Sequence, residues 1–118
     1  MNYYSTNKKC LPVTFREAVM KGLAADGGLF MPEEIPRLPN SFFQNLKAMS
    51  FQEIAYAVGS HLLKTELPPA KLREIIESAF NFDAPLYPLS EQIHVLELFH
   101  GPTLAFKDFA ARFMARLM

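Results

Sequence analysis

Lys107 stands where a helix should begin, and its position sets the first chemical question. Upstream, Ile93 to Leu98 reads as a largely apolar strand, and Gly101-Pro102 reads as a turn. A helix should then open with Lys107 and Asp108. A helix N-terminus carries roughly half a positive charge, so it favours carboxylates and disfavours an ammonium. Phe106 and Phe109 flank the lysine, and apolar neighbours oppose the charged form by desolvation. A lysine shifted toward its neutral amine can attack an aldehyde, which is the requirement for Schiff-base chemistry. Asp108 suits the first turn as a carboxylate near the dipole. Thr103 could cap the helix by accepting a first-turn amide. His100 and Glu97 lie close enough in sequence to line the same site.

Taken alone, Lys107 reads first as an exposed helix lysine, which is what most lysines are. The surrounding string changes that. Thr103, Ala105, Phe106, Lys107 and Asp108 meet a Thr/Ser-x-Ala/Ser-Phe-Lys-Asp pattern, and this pattern resembles the cofactor-lysine motif of pyridoxal-phosphate (PLP) enzymes of the tryptophan-synthase-β type. The longer run Glu97-Leu98-Phe99-His100-Gly101-Pro102-Thr103-Leu104-Ala105-Phe106-Lys107-Asp108 resembles threonine synthases more narrowly. A second segment, Asp26-Gly27-Gly28-Leu29-Phe30-Met31-Pro32, is similar to part of the small N-terminal domain of the same family. The resemblance implies that Lys107 carries PLP as a Schiff base and moves protons at substrate carbons. It implies His100, Thr103 and Asp108 as site-lining residues. It also implies conversion of O-phosphohomoserine and water to threonine and phosphate.

Composition narrows the classes. The 118 residues carry 12 basic and 12 acidic side chains, for a formal net charge of zero. No basic excess points to nucleic acid or to an anionic membrane surface. No apolar run approaches the ~20 residues of a membrane span. The single Cys10 permits no internal disulfide and fits a reducing compartment. A cytoplasmic protein is expected. His61, His94 and His100 show no metal-site spacing, so no metal is expected.

The elements that must position the motif are legible in outline. Met1 to Ser5 is expected as a short strand. Thr14 with Glu17 forms a capping box opening a helix that stops near Gly22, in the left-handed region. Asp26-Gly27-Gly28 turns into a strand from Leu29 to Met31. Pro32 to Pro39 should be irregular. Ser41 with Gln44, and Ser50 with Glu53, read as further capping boxes. The second of these starts a helix with Phe51, Ile54, Ala55, Val58 and Leu62 on one face. Pro68-Pro69 starts another, with Leu72, Ile75, Ile76, Ala79 and Phe80 on its apolar stripe. Residues 81–88 should be loop or extended chain. In the last helix, Phe106, Ala110, Phe113 and Leu117 share a face, while Asp108, Arg112 and Arg116 form a polar strip.

The expected fold is α+β: a mainly helical N-terminal domain with a few short strands over residues 1–92. Residues 93–118 would then be the first strand and helix of a truncated α/β, fold-type-II PLP domain. The last helix is apolar around much of its girth and lacks a C-cap. It should be frayed, docked on its own domain, or buried by self-association. Donors for the PLP phosphate and for its ring nitrogen do not appear, so these 118 residues alone are expected to be inactive. Two other readings stay open at this point. One is another fold-type-II enzyme, such as a threonine dehydratase or cysteine synthase. The other is a non-catalytic assembly module that uses the last helix as its surface.

Overall fold

The structure, a computed structural model, describes residues 1–63 and 66–118. Three short strands, β1 (Asn2–Ser5), β2 (Val13–Thr14) and β3 (Phe30–Pro32), form an antiparallel sheet in the order β2-β1-β3. Tyr3 pairs with Val13 on one side and with Pro32 on the other. The expected strand at Leu29 to Met31 is shifted by one residue, because Leu29 instead bridges Leu23 across the preceding turn.

Asp26 organises this end of the molecule. Its Oδ1 accepts from the Ser5 hydroxyl at 2.6 Å and from the Gly28 amide at 3.0 Å, and its Oδ2 accepts from the Lys9 amide at 2.9 Å. One carboxylate thus ties the end of β1 to the turn before β3. Hydrogen bonds to the ionised form hold its pKa down at about 2, with the Ser5 hydroxyl the largest cause. Gly28 is buried, and a Cβ there would fall on Ser5 Oγ and lie 2.9 Å from the Asn7 amide nitrogen. The Asp-Gly-Gly segment is therefore a packing device that closes two turns on one carboxylate.

α1 (Phe15–Lys21) opens with the Thr14–Glu17 capping box. It ends at Gly22 with φ 70° and ψ −53°, a positive φ but outside the left-handed helical well that was expected. α2 (Asn40–Asn45) leads into a 3-10 turn over Leu46–Ala48, and α3 (Phe51–Leu62) begins with the Ser50–Glu53 capping box. The box expected at Ser41 and Gln44 is not formed. Pro39 occupies the N-cap with φ −69°, which starts α2 two residues earlier and places Ser41 inside the first turn, where it cannot cap.

α4 (Pro69–Ala79) buries Leu72, Ile75, Ile76 and Ala79 of the stripe read from the sequence, while Phe80, its fifth member, is the half-buried C-cap. Leu63, Leu72 and Ile76 form the centre of the core, with Phe15, Tyr56, Phe80 and Phe113 packed around them. α1, α3, α4 and the last helix, α5 (Lys107–Leu117), thus share one apolar centre. Burying a side chain such as Ile76 stabilises the fold by roughly 1.5–3 kcal/mol.

The segment between α4 and α5 holds a two-stranded antiparallel ribbon, β4 (Leu86–Pro88) and β5 (His94–Leu96), in which every residue is exposed. The strand expected over Ile93 to Leu98 is shorter, and it pairs with chain that was expected to be loop or extended. Backbone bonds from Leu89 to Ile93 and from Glu97 to Pro85, both 2.9 Å, close its two ends.

α5 docks on α4, and its orientation departs from the simple helical-face reading. Phe106 and Ala110 point to solvent, whereas Phe109 packs against Phe51, Phe80 and Phe82 with ring centroids 5.7, 6.2 and 5.0 Å away. The two arginines of the polar strip face the neighbouring helix. Arg112 donates from Nε to the Ala79 carbonyl at 2.8 Å, and from a terminal nitrogen to Ser78 O at 3.1 Å and Asn81 Oδ1 at 2.9 Å. Arg116 donates to the Ser78 hydroxyl. The last carbonyls of a helix have no partners of their own and carry partial negative charge, so a guanidinium there satisfies both needs.

Candidate functional site

The site is built on the turn between β5 and α5. Leu104 donates its amide to the Gly101 carbonyl at 3.0 Å, closing a tight turn, and adopts φ 57°. A left-handed conformation in a branched residue costs roughly 1–2 kcal/mol, so something must hold it in place. Asp108 supplies that hold. Its side chain reaches back from the first turn of α5. It accepts from the Thr103 amide through Oδ2 and from the Thr103 hydroxyl through Oδ1, both at 2.8 Å.

Asp108 is only 6% exposed. Burial pushes its carboxyl up. The hydrogen bonds from the Thr103 amide and hydroxyl and the Ala105 backbone, with the nearby Arg112 guanidinium, outweigh this and hold it below the usual carboxylate value. Gly101 lies against it. A Cβ at Gly101 would collide with Asp108 Oδ2 and sit 2.7 Å from Asp108 Cβ. Gly101, Thr103 and Asp108 therefore form one interlocked unit, with the chain from Gly101 to Asp108 fastened by one carboxylate.

Thr103 does not cap α5 in the expected way. Its hydroxyl donates to Asp108 rather than accepting a helix amide, and the N-cap position is Phe106, with no side-chain cap bond. The first turn instead closes through backbone bonds from Asp108 to Ala105 at 3.0 Å and from Phe109 to Phe106 at 3.3 Å.

Lys107 is the first residue of α5 and is exposed. Its ammonium makes no hydrogen bond or ion pair with the described residues. The aromatic neighbours do not enclose it: Phe106 is 67% exposed, and Phe109 is turned into the aromatic cluster. What the fold gives this lysine is a fixed backbone and an uncommitted amine. Both suit covalent attachment of an aldehyde cofactor.

His100 precedes the interlocked turn. Its Nε2 lies 2.7 Å from Glu97 Oε2, and its ring stacks on Phe99 with centroids 4.8 Å apart. The pair sits at the end of the ribbon, on the chain that leads directly to Gly101. The groove between α3 and α4, lined by Glu53, Tyr56 and Arg73 among others, does not include Lys107. There the Arg73 guanidinium lies 4.3 Å from the centre of the Tyr56 ring. Among the described residues no group of three His, Cys, Asp or Glu side chains is placed to hold a metal ion.

Sequence reading proposed Lys107, Thr103, Asp108 and His100 for this site and took Gly101 only as part of a turn. The signal was present: a glycine before a proline, seven residues ahead of a first-turn carboxylate. Its purpose becomes visible only when Asp108 is seen folded back onto the turn.

Comparison with known proteins places these features in a family. Residues 2–80 match the family described as threonine synthase N terminus. The threonine synthase of Haemophilus influenzae is 46% identical over 118 residues, covering 100% of this chain and 27% of that protein. The threonine synthase of Schizosaccharomyces pombe is 42% identical, covering 99% of this chain and 24% of that protein. Two solved structures superpose closely. Threonine synthase from Escherichia coli gives a TM-score of 0.91 at 36% identity, covering 99% of this chain and 27% of that one. PLP-bound threonine synthase from Brucella melitensis gives 0.89 at 39% identity, covering 100% of this chain and 26% of that one. The chain thus spans about a quarter of the length of the relatives it matches. With its Asp-Gly-Gly turn, its helical core and its lysine-bearing last helix, the chain belongs to the threonine synthase family, as the N-terminal part of that fold.

Proposed function

We propose that the protein carrying this chain is a PLP-dependent threonine synthase, a carbon–oxygen lyase that turns O-phosphohomoserine and water into threonine and phosphate. The observation that carries this reading is Lys107: an exposed primary amine, without a partner among the described residues, on the first turn of α5 behind a rigid turn. The residues fit the cofactor at this point, because the group needed to hold it covalently is a free amine on a fixed backbone. PLP bound there supplies an electron sink for carbanions at the substrate.

Lys107 would hold the cofactor through Nζ. As a free amine, Nζ would take and return protons at the substrate Cα and Cβ. A flexible stem can reach both carbons from one anchor point. The interlocked Gly101–Asp108 turn keeps the backbone of that anchor still. Residues 1–92 would form the N-terminal unit, and residues 93–118 would open the cofactor domain. A cytoplasmic setting accords with the single cysteine, and no described helix is long and apolar enough to cross a membrane.

The test is capture of the cofactor on its lysine. Borohydride reduction of the whole protein with PLP, followed by peptide mass mapping, should place the added mass on Lys107. Lys107→Ala should lose both this adduct and threonine formation from O-phosphohomoserine. Adduct on another lysine, or full turnover by Lys107→Ala, would overturn the reading. The 118 residues alone should release no phosphate from O-phosphohomoserine.

A further inference from the structure

Asp108 lies next to Lys107 in sequence but points away from solvent, and its carboxylate is fully engaged on both oxygens. Its two partners are the amide and hydroxyl of one residue, Thr103, five positions back. The chain between them contains Leu104 at φ 57°, a conformation that branched residues rarely keep without support. The third member, Gly101, is the one residue type that leaves room for the carboxylate. A helix start with no side-chain cap bond would ordinarily fray. Here the carboxylate fixes the turn before the helix and the first helical turn together.

We infer that Asp108 is a positioning residue for Lys107: by clamping Thr103 over Gly101, it fixes the backbone from which the lysine amine reaches the cofactor. This rests on Lys107 being the cofactor lysine. Asp108 needs no contact with cofactor or substrate in this role. It acts through the geometry of residues 101–107. A reacting group misplaced by about 1 Å can lose up to a hundredfold in rate, so the clamp should matter most for steps that need Nζ at a defined point.

The chemistry of the clamp selects the test. Asp108 offers two acceptors to two donors. Asn keeps the shape but turns an NH2 toward one donor. Thr103→Val removes the hydroxyl donor and leaves the amide, whereas Thr103→Ser keeps both donors. The experiment uses the whole protein and measures the rate at which Lys107 takes up PLP, by absorbance of the bound cofactor and by borohydride capture. Circular dichroism and the thermal midpoint are followed alongside. Asp108→Asn and Thr103→Val should slow cofactor uptake at Lys107 and lower kcat by about tenfold or more. The substrate KM should change much less, and Thr103→Ser should stay near the parent protein.

If Asp108→Asn does not fold, Thr103→Val carries the test. Uptake and kcat unchanged in a folded Asp108→Asn, or in Thr103→Val, overturn the inference. Equal losses in Thr103→Ser and Thr103→Val overturn it as well, because the hydroxyl donor would then not be what matters. Failure of the underlying reading looks different: the parent protein itself would show no adduct on Lys107.

Discussion

The Nε of Arg112 donates to the carbonyl of Ala79 at 2.8 Å, fastening α5 to the last turn of α4. The same guanidinium reaches Ser78 O and Asn81 Oδ1, and it stands 5.6 Å from the centre of the Phe82 ring. The helix bearing Lys107 is therefore registered against the domain core by a charged side chain as well as by the Phe80–Phe113 stack, whose planes are 1° apart at 5.9 Å.

Removing that guanidinium should loosen α5. Arg112→Ala should lower the unfolding free energy by about 2 kcal/mol, the scale of hydrogen bonds to a charged group. It should also raise amide exchange across residues 107–117. Arg112→Lys should recover less than half of this, because an ammonium is a point donor and cannot span three acceptors in a plane. Urea denaturation and hydrogen exchange measure both effects. Unchanged exchange in Arg112→Ala would show that the aromatic cluster alone holds the helix.

Acid stability should report on Asp26. Its folded pKa of about 2 lies below the unfolded value of 3.8, so the unfolded chain binds more protons between those values. The stabilisation is therefore complete above roughly pH 4 and is lost as pH falls through about 2. Asp26→Asn should have a lower midpoint at neutral pH and a flatter decline between pH 5 and 2. The thermal midpoint, followed across that range, checks this. Parallel profiles for the two proteins would remove Asp26 as the source of the acid sensitivity.

The core should respond to Ile76 far more than the surface responds to Leu11. Ile76 is 2% exposed and Leu11 is 85% exposed. Ile76→Ala removes buried methyl groups and leaves a cavity, so it should cost about 2–5 kcal/mol. Leu11→Ala should fall within about 0.5 kcal/mol of the parent. Chemical denaturation of the two variants compares them directly. A small loss for Ile76→Ala would mean that the α3–α4 contact can collapse around the gap.

The features the sequence made readable are those that depend on near neighbours. The capping boxes at Thr14–Glu17 and Ser50–Glu53 formed because each needs only a side chain three residues from an amide. The α4 stripe, Leu72, Ile75, Ile76 and Ala79, was legible because helical spacing alone puts those residues on one face. The Ser41 box failed for an equally local reason: Pro39 already starts the helix. Lys107 was legible as a chemical candidate because the motif around it is contiguous.

Distance in the chain decided the rest. Which way α5 turns its faces depended on Arg112 meeting the end of α4, more than thirty residues earlier, and on Phe109 finding Phe51. An amphipathic wheel ranks apolar against polar residues, and it cannot know that a guanidinium's best partners are the unsatisfied carbonyls of another helix. Likewise, Asp26 looked like turn chemistry, but its carboxylate joins Ser5 at the end of β1 and Lys9 in the loop after it, each more than fifteen residues earlier. The chain by itself determined the lysine, its motif and most of the helices. Tertiary structure determined that Asp108 folds back on Thr103 and Gly101, because that fit depends on the excluded volume of a single missing Cβ.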